Sequence, residues 1–335
     1  MGVYFRPLVQ IGQARPADAL RIAGGWGWAT HAERIVRERG GAVVPVSVLP
    51  EDIRSRLSAA RAPVAGLGMD RPRLMGIVNV TPDSFSDGGL YAAPEAAARH
   101  GAALAAGGAD ILDIGGESTR PGAETVPVAD EVARVAPEIG ALHREVQTPS
   151  SLATRKAAVA VAAFQAGAAM LNDVAALTYD AGIAEVAALQ GAPVCLMHAQ
   201  GDPATMQDAP RYDDVLLDVY DFLDRRIDAA VAAGIDRARI VVDPGIGFGK
   251  TLDHNLALLR GLSLFHGLGC PILIGASRKR FIGTLSGAEA ADARMPGSMA
   301  VALAAVAQGV QILRVHDIVE TRQALALWTA ATGQA

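Results

Sequence analysis

From residue 73 onward the chain alternates short apolar runs with longer alanine-rich segments, separated by polar or glycine-rich loops. The apolar runs cover residues 74–80, 110–114, 150–153, 168–172, 192–197, 240–242, 271–275 and 310–315. Runs of this length bounded by turn signals read as buried strands. Segments 94–106, 127–143, 155–166, 212–233 and 317–331 carry apolar residues at helical spacing, and 295–308 adds a helix before the last strand. Gly107, Gly167 and Gly234 fall where helix C-caps would end. Eight strands, each followed by a helix, predict an α/β fold, a closed parallel (β/α)8 TIM barrel over residues 71–335. A span of roughly 260 residues is typical of that architecture.

Residues 1–70 do not share this rhythm. They hold a glycine and tryptophan cluster at 24–28, a candidate short strand at 40–48 and a helix start at 50–57. This stretch reads as an N-terminal extension packed on the barrel, with Trp26 and Trp28 as packing residues rather than ligand contacts.

Composition narrows the partners. The chain is 51% hydrophobic, 19% charged and 4% aromatic, which suits a helix-rich α/β protein with a core of Ala, Val, Leu and Ile. A formal charge of -5 argues against nucleic acid or an anionic membrane as partner. Cys195 and Cys270 both lie in apolar runs, with neither a disulfide framework nor metal-ligand spacing, as expected of a reducing cytoplasm. The sequence reads as soluble, with no signal peptide and no apolar run approaching the roughly 18 residues of a membrane span.

In a barrel of this kind, functional groups come from the C-terminal ends of the strands. Those positions hold Asn79, Asp113 with Glu117, Ala153, Asn172 with Asp173, His198, Asp243, Ser277 to Lys279, and Arg314 with His316. The sixth strand delivers Asp243 into Pro-Gly-Ile-Gly-Phe-Gly-Lys250. A P-loop needs glycine where Pro244 stands, and the dinucleotide fingerprint needs one where Leu252 stands, so neither motif applies. Asn172, Asp243 and Lys279 offer an amide, a carboxylate and an ammonium, which match the alternating donors and acceptors of a pterin or guanine edge. Arg314 and His316 precede a helix start near Asp317, the usual phosphate site of this fold, with Asn79, Ser118, Thr119 and Arg120 facing them. Loops 81–91 and 115–123 are long, polar and glycine-bearing, and read as lids that exclude water.

These residues fall into six ordered motifs: residues 76–89, 113–122, 172–174, 243–250, 277–279 and 314–317. Together they resemble the dihydropteroate synthase family of folate biosynthesis, from about residue 74 to the C-terminus. The resemblance implies that a hydroxymethyl-dihydropterin pyrophosphate and p-aminobenzoate condense to dihydropteroate and pyrophosphate, with Mg²⁺. It implies pterin contacts at Asn172, Asp243, Lys279 and the position of Ala153, and pyrophosphate contacts at Asn79, Ser118, Thr119, Arg314 and His316. Asn79 would also serve the metal, and Thr81, Pro82, Phe85, Arg120, Pro121 and Lys279 would complete the p-aminobenzoate pocket. A cytoplasmic homodimer, joined through helices late in the barrel, and competition by sulfonamides follow from the same resemblance. In the family the third strand usually ends Ser-Ile-Asp-Thr, whereas here it reads Ser151-Leu-Ala-Thr154, so a carboxylate that would support a cationic intermediate is absent. That departure leaves a second reading, a weakly active or non-catalytic pterin-binding paralogue. A pterin-dependent methyltransferase is a third, which the Ser-Thr-Arg loop and Arg314-Val-His316 disfavour.

Overall fold

The computed structural model describes residues 2–80, 93–118, 122–201 and 205–333. Eight parallel strands lie where the apolar runs predict them: β6 (Arg73–Asn79), β7 (Ile111–Gly115), β8 (Ser150–Ala153), β9 (Met170–Asp173), β10 (Val194–Met197), β11 (Ile240–Asp243), β12 (Leu273–Ile274) and β13 (Ile312–Val315). The sheet runs in the order β11-β10-β9-β8-β7-β6-β13-β12, and a parallel bridge between Val242 and Ile272 joins its two ends. The result is a closed (β/α)8 barrel.

The runs read as continuously apolar because each strand is covered on both faces. Inward-facing Met75, Ile111, Met170, Cys195, Val241, Leu273 and Ile312 fill the barrel, and Val64 and Met69 join them. The alternate residues, such as Leu74, Leu112, Leu152, Leu196 and Leu313, pack outward against the helices. Both cysteines are buried and free.

Helices α2 (Ala93–Ala106), α3 (Val128–Glu145), α4 (Ala157–Ala166), α5 (Ile183–Gln190), α6 (Val215–Ala232), α7 (Leu252–Arg260), α8 (Arg280–Ser286), α9 (Met295–Val306) and α10 (Ile318–Ala331) form the outer ring. The sequence does not announce α5, α7 and α8, which span only two turns or so and show too little periodicity. Their ends are set by local chemistry instead. Thr251 caps α7 in a reciprocal capping box with His254, and Gly191 ends α5 in the left-handed conformation. Helix α6 starts at Val215 rather than 212, because Asp214 caps it by accepting from the Leu216 and Leu217 amides. After α2 the left-handed residue is Gly108, one position beyond Gly107.

Before the barrel, β1 (Val3–Pro7), β4 (His31–Val36) and β5 (Gly40–Pro45) form an antiparallel sheet, β2 (Leu20–Arg21) pairs with β3 (Trp28–Ala29), and α1 covers Glu51–Ser58. This unit lies against α6, the turn at 262–268 and the end of α9. Tyr4 donates to Asp221 at 2.9 Å, and Arg37 bridges Asp218 at 2.6 Å and Asp221 at 2.9 Å. Trp26 Nε1 donates to the Val306 carbonyl at 2.8 Å, and Trp28 Nε1 to that of Gly12 at 3.1 Å, so both indoles serve packing.

Candidate functional site

The C-terminal rim of the barrel gathers polar side chains in register. Parallel pairing sets Asn79 beside Gly115, Gly115 beside Ala153 and Ala153 beside Asn172. Two residues back on β7, Asp113 points into the barrel and is fully buried. Its Oδ2 accepts from Asn172 Nδ2 at 3.1 Å and from Arg314 Nε at 2.6 Å. Its Oδ1 is buried and has no hydrogen-bond partner among the described residues. A buried carboxylate oxygen without a donor is costly, which marks it as waiting for one. The sequence shows Asp113 only as one more polar strand end; its connecting role was hidden inside the apolar run Ile111-Leu-Asp-Ile114.

On the opposite side of β10, Asp243 ends β11 and is 5% exposed. Its Oδ1 accepts from the Gly245 amide at 2.7 Å. Burial raises its pKa, and Lys279 opposes that shift. The following loop needs its glycines: at Gly245, with φ of +68°, a Cβ would come within 1.8 Å of the His198 carbonyl oxygen. Lys279 reaches back over this loop. Its Nζ donates to the Ile246 carbonyl and stands 4.4 Å from the centre of the Phe248 ring, a cation–π geometry. Burial lowers the Lys279 pKa to about 8, against the pull of Asp243. Asn172, Asp243 and Lys279 thus share one rim, each already engaged with backbone or with Asp113.

The phosphate-side residues end β13. Arg314 is tied to Asp113, while His316 Nδ1 lies 3.0 Å from Ser277 Oγ, which also accepts from the His316 amide at 3.2 Å. Helix α10 starts two residues after His316, at Ile318. Asn79 and Ser118 are half-buried at the β6 and β7 ends. Thr81, Pro82, Phe85, Thr119, Arg120 and Pro121 lie outside the described residues.

Other polar strand ends have structural tasks. Glu117 accepts from Arg155 at 3.0 Å, from Lys156 at 2.6 Å and from the Val126 amide at 2.8 Å. Asp173 accepts from the Ala175 and Leu177 amides, both at 2.7 Å, and so holds a turn with two non-glycine residues at positive φ. Arg278, itself at φ +58°, is fixed by Asp317 and by its amide bond to Ser298 Oγ. His198 faces away into a seam with Lys250, and burial drives its pKa down to about 2. Among the described residues no three His, Cys, Asp or Glu side chains are grouped to hold a metal ion.

A barrel mouth with a bridging carboxylate, an amide, a second buried carboxylate and two cations is that of an enzyme acting on a flat, hydrogen-bonding heterocycle that carries an anionic group. Residues 75–316 match the family of pterin binding enzymes. The dihydropteroate synthase of Neisseria meningitidis serogroup B is 49% identical over 273 residues, 79% of this chain and 94% of that protein. The Xanthomonas albilineans dihydropteroate synthase with 4-aminobenzoic acid is 51% identical with a TM-score of 0.77, covering 81% of this chain and 97% of that one. The same organism's synthase in complex with 7,8-dihydropteroate is 48% identical with a TM-score of 0.74, covering 81% of this chain and 98% of that one. The chain belongs to the dihydropteroate synthase family, the transferases of folate biosynthesis.

Proposed function

We propose that the protein condenses 6-hydroxymethyl-7,8-dihydropterin pyrophosphate with p-aminobenzoate to give 7,8-dihydropteroate and pyrophosphate. The observation that carries this reading is Asp113, whose one oxygen joins Asn172 of the heterocycle set to Arg314 of the anion set. A substrate lying across that junction places its methylene–oxygen bond between the two sets.

Asn172, Asp243 and Lys279 hold the pterin edge, and the spare oxygen of Asp113 accepts a further N–H. Arg314, His316 and the start of α10 take the pyrophosphate, joined by Ser118 and Thr119 from the facing loop. As the C–O bond breaks, its electron pair leaves with pyrophosphate, and charge complementarity at Arg314 and His316 lowers that barrier. The pterin ring carries the developing cation, stabilised by Asp113 and Asp243. The aniline nitrogen of p-aminobenzoate then forms the C–N bond and loses a proton, while the pocket of Thr81, Pro82, Phe85, Arg120, Pro121 and Lys279 keeps water away.

The donor set suits Mg²⁺: a hard ion that keeps waters and substrate phosphate oxygens needs few protein ligands, and the neutral amide oxygen of Asn79 at the strand end is of the right kind. Bound there with the diphosphate, the ion would offset charge on the leaving group. Two buried, unpaired cysteines support a reducing cytoplasm, and among the described residues no helix is long and apolar enough to cross a membrane. A homodimer and competition by sulfonamides complete the proposal.

The position of Ala153, between Gly115 and Asn172, is the place where this site departs from the family pattern. The test compares steady-state dihydropteroate formation by this chain and by Ala153→Asp. We expect product from both, with kcat raised by about 10²-fold in the Asp form and pterin affinity little changed. No product from either, with pterin still bound, would replace the synthase reading by that of a pterin-binding paralogue.

A further inference from the structure

The loop between Asp243 and α7 has an unusual problem of order. Gly245, Gly247 and Gly249 all take positive φ, so its backbone is intrinsically free, yet it must hold the Gly245 amide on Asp243 and the Ile246 carbonyl on Lys279. Four side chains supply the missing constraint. Asn255 Oδ1 accepts from the Gly247 amide at 2.6 Å, Gln207 Nε2 donates to the Gly247 carbonyl at 2.6 Å, and the Tyr212 hydroxyl donates to that of Gly249 at 2.8 Å. The fourth is Lys250, which is 3% exposed.

Lys250 Nζ makes three contacts: 2.9 Å to His198 Nδ1, 3.0 Å to the Phe248 carbonyl and 3.4 Å to the His198 carbonyl. These occupy all of its hydrogen-bonding capacity. Among the described residues no carboxylate lies within ion-pair distance of it, although burying a lysine without an anion is expensive. Burial accordingly presses its pKa well below the usual lysine value. That cost returns nothing to the hydrophobic core; what it secures is the seam between the loop after β11 and the end of β10. The seam is tight along its length, since a Cβ on Gly249 would meet the Gln200 carbonyl oxygen at 2.4 Å.

We propose that Lys250 is a positioning residue for the pterin side of the site, fixing the loop that presents Asp243 and Lys279 to the substrate. The chain of contact is short. Lys250 sets the Phe248 carbonyl, the Phe248 ring lies beneath Lys279 Nζ, and the neighbouring Ile246 carbonyl accepts from the same Nζ. Among the described residues no contact of Lys250 reaches Arg314, His316 or Asn79, so its influence stops short of the pyrophosphate side.

The inference rests on the synthase reading, and its test separates the two. Binding of 6-hydroxymethylpterin, which lacks the pyrophosphate, is measured by calorimetry alongside binding of inorganic pyrophosphate with Mg²⁺. Lys250→Met keeps an unbranched side chain one atom shorter than lysine's and makes none of the three bonds. We expect its pterin affinity to fall by about tenfold or more while its pyrophosphate affinity stays within about twofold. Pterin affinity within about twofold of the parent, or both constants worsening together, overturns the proposal. If Lys250→Met does not fold, Tyr212→Phe removes one bond to the same loop without changing shape. It should show the same split at about threefold, and its absence there is equally decisive. A parent chain that binds no pterin sinks the reading of the site itself, whereas a parent that binds and a variant that is unaltered sink Lys250 alone.

Discussion

Two groups of buried charge lie on neighbouring parts of this barrel, and they differ in what they leave unused. Beneath the loop after β7, Lys156 Nζ donates at 2.6 Å to each of Glu117, Glu131 and the Val126 carbonyl, while Thr154 donates to Glu131 at 2.6 Å. Burial opposes charge on Lys156, but its two carboxylate partners outweigh that and raise its pKa. Every valence of that lysine is filled from within. At the mouth, by contrast, Asp113 keeps one oxygen buried and empty, and Asp243 has a single backbone donor on one of its two oxygens. Between these two groups, therefore, charge does not distinguish the site from the brace, whereas spare hydrogen-bonding capacity does.

The comparison is open to attack from both sides. Asp243→Asn keeps shape and removes charge, so kcat/KM should fall by about 10²- to 10³-fold with little change in thermal midpoint. Steady-state kinetics beside a melting curve checks this, and a variant that merely unfolds would erase the distinction. Lys156→Met does the reverse. It strands two buried carboxylates and should cost about 3–5 kcal/mol in urea unfolding while surviving protein still binds pterin normally. Affinity lost without stability would move that cluster into the site. The smallest effect concerns pH. Lys279 must be protonated to face the pterin and titrates near 8, so activity should decline as pH rises through about 8. Above that limit kcat/KM should drop by about tenfold per unit, and the fall should vanish from the profile of a Lys279→Arg form that retains activity.

Much of this was open to reading before any coordinates. Eight apolar runs became eight strands because parallel strands covered on both faces leave an unmistakable trace, and strand ends then located Asn172, Asp243, Lys279, Arg314 and His316 on one rim. What stayed hidden depended on partners distant in sequence. Glu117 read only as one more polar group near a strand end until Arg155 and Lys156, 38 and 39 residues away, were seen to occupy it. Lys250 followed a glycine run that invites a phosphate reading, and only the fold turned it toward His198. Asp113 could not be separated from packing, since its task depends on Arg314, 201 residues further on.

The barrel closes at its weakest pair. Strand β12 has two residues, and one bridge, Val242 to Ile272, joins it to β11, with the Val242 amide on the Pro271 carbonyl at 3.0 Å. Asp243 stands on one side of that join and Lys279 follows the strand on the other. A heterocycle held by both would lie across the join as an added rung, a rivet over a seam that the single bridge already closes.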